Sequence, residues 1–99
     1  MREPTIVAFV RKSFVDKESR WGLTTTLDLV LDGGEKISYK PFSKSNQITM
    51  HIRGRHVLGG QRIRAVYRYD PQERAHWVSR YDVLNNKGET IHSDAAYYG

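Results

Sequence analysis

Hydrophobic and polar residues alternate along most of this chain. Leu23, Leu27, Leu29 and Leu31 fall on one parity, Thr24, Thr26 and Asp28 on the other. Period-two alternation rich in β-branched residues marks a strand with one buried face. Asp32-Gly33-Gly34-Glu35 follows and reads as a tight turn, because glycine takes positive φ without steric cost. Lys36 to Phe42 then reads as a return strand, with Ile37 and Tyr39 on one face. Residues 23–42 are therefore predicted to form a hairpin.

The same logic predicts a second hairpin. In residues 61–69, Ile63, Ala65, Tyr67 and Tyr69 share one parity, while Arg62, Arg64 and Arg68 share the other. Asp70-Pro71-Gln72-Glu73 reads as a turn, since proline presets φ and the aspartate can bond the backbone ahead. Residues 76–84 return as a strand, on which plain alternation places Trp77 and Tyr81 on one core-facing side, packed against Tyr67. Asn85-Asn86-Lys87-Gly88 is a further turn, and residues 89–92 suit a short edge strand. Residues 5–15 are apolar enough for a central strand, and residues 16–22 read as a polar loop carrying Trp21. Ile48, Met50 and Ile52 alternate with Thr49, His51 and Arg53, so a strand is expected there before Gly54. No segment shows a sustained helical stripe. The tail, residues 94–99, reads as disordered or as a cover for a sheet edge.

Six or seven short strands in 99 residues imply one domain, residues 1–99, and an all-β fold. A small antiparallel β-barrel of five to seven strands removes most sheet edges. The order of a long first strand, a hairpin, a variable middle and a final hairpin resembles an oligonucleotide-binding (OB) fold. Val57-Leu58-Gly59-Gly60-Gln61-Arg62-Ile63-Arg64-Ala65-Val66-Tyr67 looks like the glycine-then-basic-apolar lead into the fourth strand of many OB domains. The OB helix that often precedes that strand has no counterpart, because residues 43–56 are a poor helix. An SH3-like barrel or another small meander is the alternative.

Charge changes the picture more than composition does. Nine of the 16 lysines and arginines lie in residues 40–80, with only Asp70 and Glu73 against them. The sequence pI near 9.7 favours an acidic partner. Arg62, Arg64, Arg68 and Arg80, with Arg53, Arg55, Lys40 and Lys44, are the candidate phosphate contacts, and His76 would extend the arginine row. Trp21, in a charged loop, and Phe42, beside Lys40 and Lys44, are the candidate base-stacking aromatics. The competing description of the arginine row is a solvated outer face paired with Asp70, Glu73 or Asp82.

Enzyme chemistry finds little support. No cysteine is present, which removes disulfides, thiolate metal sites and cysteine nucleophiles. His76, Ser79 and Asp82 do not converge on one strand face, the four histidines lack metal-ligand spacing, and no phosphate-cradling glycine motif occurs. No cofactor or metal is expected. No apolar run reaches the ~20 residues that span a bilayer, and the N-terminus lacks a signal-peptide pattern, so a cytoplasmic location is expected and no membrane contact. The expected function is non-catalytic binding of single-stranded DNA or RNA with weak sequence preference. The alternative is a small protein-binding inhibitor or adaptor, of phage or mobile-element type, docked on a host complex. Oligomeric state stays open, a homodimer being one option.

Overall fold

A computed structural model describes residues 4–20, 22–31 and 47–95. Six strands are present: β1 (Thr5–Ser19), β2 (Gly22–Leu31), β3 (Gln47–Arg53), β4 (Arg62–Asp70), β5 (Ala75–Leu84) and β6 (Thr90–Ala95). The described residues contain no helix, hence none long and apolar enough to cross a membrane. The fold is all-β, as the alternation predicts.

The long β1 pairs with both β2 and β4, β2 pairs with β3, and β4 pairs with β5. A short parallel contact, Met50 opposite His76 and His51 opposite Trp77, joins β3 to β5 and closes the ring. The result is a five-stranded barrel of OB-like connectivity, mixed rather than wholly antiparallel, with β6 added along β5. Ile6, Ala8, Val10, Leu27, Leu29, Ile48, Met50, Ile52, Ile63 and Ala65 fill its centre at 0–1% exposure. Burying such side chains contributes ~1.5–3 kcal/mol each before conformational entropy is counted against it.

Several sequence expectations change here. β2 pairs with Gln47–Arg53 on the edge opposite β1; the expected return strand, Lys36–Phe42, lies outside the described residues. A strand has two edges, and those of β2 are taken by β1 and β3. The expected polar loop at residues 16–22 shrinks to a turn between Ser19 and Gly22, because β1 runs on through Ser19. Asp94 and Ala95 are strand and not tail, paired with Tyr81 and Arg80.

Two β-bulges reset the inside–outside parity. One lies between Val10 and Lys12 in β1. Ile6, Ala8 and Val10 point inward before it, whereas Lys12 and Phe14 point outward after it. The other lies in β5, where Val66 faces Arg80 but Tyr67 faces Val78, leaving Ser79 as the extra residue. Its hydroxyl donates to the Val66 carbonyl at 3.2 Å. Tyr81 and Val83 point into the core on one side of this bulge, Val78 and His76 on the other. Trp77 therefore faces outward, and its expected packing with Tyr81 on one core face does not occur; a bulge flips every side chain beyond it. The β4–β5 turn matches expectation, with Asp70 Oδ1 accepting from the Gln72 and Glu73 amides at 3.0 and 3.3 Å.

Candidate nucleic-acid interface

Outward side chains of all five barrel strands meet in one row. Phe14 on β1 is opposite Thr26 on β2, Thr26 is opposite His51 on β3, His51 is opposite Trp77 on β5, and Trp77 is opposite Arg68 on β4. Arg53 lies two residues along β3 from His51, so it projects from the same face.

The middle of the row is tightly knit. Thr26 Oγ1 and His51 Nδ1 are 3.0 Å apart. The His51 ring lies 5.4 Å from Trp77, and the Arg53 guanidinium sits 5.8 Å from the Trp77 centroid, within cation–π range. Trp77 is only 5% exposed. It serves as the floor that holds Arg53 and His51, and it is covered too well to stack with a base. Phe14 differs: it is 53% exposed on the outer face of a central strand, where a polar residue is the usual occupant. An exposed ring on a face that also carries a guanidinium offers both stacking and charge.

Electrostatics favour an anion on this wall. Arg68 is exposed, and Lys12 projects from the same face of β1. The nearest acid on β2, Asp28, is neutralised by the bulged Arg11, whose Nε and Nη2 donate to Asp28 Oδ2 at 3.0 and 2.6 Å. Asp16, beyond Phe14 on β1, is the opposing charge. Burial holds the His51 imidazole below its usual pKa, so it is neutral at pH 7 and contributes no charge. At one end of the barrel, Arg20 in the β1–β2 turn forms an ion pair with Glu73 in the β4–β5 turn, tying the two together.

The candidates from sequence are distributed differently from what composition suggests. Arg53 and Arg68 are brought together at the wall just described. Arg62, Arg64 and Arg68 do share the outer side of β4, as strand parity predicts. Arg64, however, pairs with Asp82 at 3.4 Å, which is the solvated-face arrangement. Arg64 and the exposed Arg80 flank Val66 in a shallow groove of about 370 Å³ that Thr5 and Asp82 also line. This groove lies on the β1–β4–β5 wall, around the barrel from Phe14. Arg55 is exposed in the β3–β4 connection, residues 54–61. His76 does not extend the row: it is 1% exposed inside the barrel, against Tyr67 and Tyr69. Trp21, Lys40, Phe42 and Lys44 lie outside the described residues.

Phe14 and Trp77 were not singled out as site residues by the sequence. Phe14 carried a usable signal, since Lys12, Phe14 and Asp16 alternate as an outer face interrupted by one aromatic. The Trp77 position depends on the Ser79 bulge, which has no glycine or proline to announce it. No group of His, Cys, Asp or Glu that could hold a metal occurs among the described residues. No protein-family model, curated protein or solved structure matches the chain.

Proposed function

We propose that this protein is a non-catalytic, cytoplasmic OB-type module that binds single-stranded nucleic acid across the Phe14–Thr26–His51–Trp77–Arg68 row. The observation that carries the reading is the solvent-exposed Phe14 ring on the outer face of β1–β2–β3, the face that carries Arg53, in a cross-strand row that continues around the barrel through Trp77 to Arg68. Phe14 stacks a base, and the two guanidiniums neutralise flanking phosphates. Stacking is tolerant of sequence because every base has a π-face, so affinity comes with little sequence preference. A duplex keeps its bases stacked within itself and forfeits the Phe14 contact. The OB-like connectivity supports the same wall, because OB barrels bind oligonucleotides on the face of strands 2 and 3. Arg62, Arg64 and Arg80 form a second basic strip that a longer strand reaches by passing over Arg68.

Fluorescence anisotropy with labelled single- and double-stranded oligonucleotides, at a low and a high salt concentration, tests the proposal. Expected are tighter binding to the single strand and a steep loss of affinity as salt rises. Absence of binding at low salt to any DNA or RNA tested would remove it.

A further inference from the structure

The sixth strand lies outside the barrel and carries a feature the binding wall does not use. β6 pairs with β5 along one edge, Arg80 with Ala95, Tyr81 with Asp94, Asp82 with Ser93 and Val83 with His92. No described strand pairs with its other edge. Every residue of Thr90–Ala95 is exposed. Edge strands are commonly protected by lysine, proline, an inward charge or a bulge, because unpaired backbone groups template further pairing; the bulge in β6 falls at Ile91, near its start, and leaves His92–Ala95 in regular pairing. Thr90-Ile91-His92-Ser93-Asp94-Ala95 contains neither lysine nor proline, and Ile91 is 64% exposed. Val57, 76% exposed, stands across a groove of about 320 Å³ from it.

We infer that β6 is a homodimer edge, pairing antiparallel with β6 of a second copy about a two-fold axis at Ser93. The register follows from backbone geometry and charge. Two residues exchanging hydrogen bonds across a symmetric antiparallel pair must both point their amides outward, so they share parity and the axis falls on a residue. An axis at His92 sets His92 against its own copy, and an axis at Asp94 sets two carboxylates against each other. An axis at Ser93 instead sets His92 opposite Asp94 of the second copy, twice by symmetry. An imidazole N–H facing a carboxylate can donate to it, whereas two carboxylates facing each other repel. His92 and Asp94 both project on the side of β6 that Tyr81 and Val83 occupy on β5, so directly opposed partners lie on one face. The Asp94 side chain is 47% exposed; its Oδ2 accepts from the Tyr81 hydroxyl at 3.4 Å and lies 3.7 Å from His56 Nδ1, which leaves a lone pair of Oδ1, beside the one that takes the Ala95 amide, for a contact with a second copy.

Six residues a side bury much less than the ~800 Å² per partner of a standard interface. The dimer is therefore concentration-dependent and not obligate. It is independent of the nucleic-acid reading, since β6 contributes nothing to the row on the barrel wall.

Sedimentation velocity on nuclease-treated protein over about two decades of micromolar concentration should show a monomer–dimer equilibrium. His92→Asp should weaken association roughly tenfold, whereas His92→Lys should not weaken it. The chain has no native cysteine, so Ser93→Cys provides a register-specific probe. Under mild oxidation Ser93→Cys should give a disulfide-linked dimer much faster than Ile91→Cys or Ala95→Cys, whose own copies are not opposed. A monomer at every concentration, or equal cross-linking at all three positions, would overturn the inference. So would a dimer indifferent to His92→Asp.

Discussion

Replacing Phe14 with alanine separates folding from binding more cleanly than any other substitution in this chain. The ring is 53% exposed, so folding removes only part of it from water. The folding cost is then lost strand preference plus burial of about half the ring, about 1–2 kcal/mol. For a domain of this size each kcal/mol lowers Tm by about 4–8 °C. Truncating Leu29, which is 0% exposed, should cost ~2–5 kcal/mol by comparison. Binding should respond far more strongly to Phe14→Ala. A stacked base is worth ~1–3 kcal/mol, which weakens Kd about 5- to 150-fold for a single-stranded oligonucleotide. Stacking releases no counterions, so the slope of log K against log salt should stay at the wild-type value while the affinity falls. Phe14→Trp should restore binding. Anisotropy titrations at several salt concentrations, alongside thermal melts, measure all of these quantities. Wild-type affinity in a folded Phe14→Ala protein would refute the stacking assignment. A reduced salt slope would instead mean that the ring only positions a cation.

Other perturbations follow from the same geometry. Arg53→Gln and Arg68→Gln should each flatten the single-strand salt slope by about 0.7, the opposite signature to Phe14→Ala, as read from the same titrations. Burial holds His51 and His76 below the ordinary histidine pKa; for His76 the nearby Thr49 backbone acts in the opposite direction and the nearby His51 adds to the lowering. Both fold as neutral groups, so their contribution is complete above about pH 6.5 and is lost as pH falls toward their folded values. The urea midpoint should therefore drop as pH falls below about 6.5, and a constant midpoint would contradict the burial argument. Burial, with a smaller contribution from Asp94, pushes the Tyr81 phenol up to about 12. An unfolded tyrosine ionises near 10, so stability should hold below about pH 10 and fall toward about pH 12. Tyr81→Phe should remove that part of the alkaline loss, as monitored by the denaturation midpoint.

The sequence revealed what is local and hid what is not. The alternation of Leu27 and Leu29, of Ile48, Met50 and Ile52, and of Ile63, Ala65 and Tyr67 placed three strands with the right faces buried. Asp70 marked its turn because the interaction it makes is with the amides two and three residues ahead. The pairing of β2 with Gln47–Arg53 was not read from the sequence because pairing is a competition between segments. Asp32-Gly33-Gly34-Glu35 satisfied turn chemistry, yet Gln47–Arg53 holds the edge of β2 opposite β1. The bulges at Arg11 and Ser79 were invisible for a related reason. A bulge is imposed by the partner strand, and neither residue has special local chemistry. Missing the second bulge put Trp77 in the core and obscured the row that unites Phe14, His51 and Arg68. The arginines of β4 were placed on their correct face, and Arg64 follows the competing expectation of cross-strand pairing with Asp82.

The most direct test of the central claim is a map of backbone amide shifts by ¹H–¹⁵N NMR as a short single-stranded oligonucleotide is added. The predicted result is perturbation concentrated at Phe14, Thr26, His51, Arg53, Trp77 and Arg68, with β6 unaffected. Shifts confined to other surfaces, or no shifts at low salt, would contradict it.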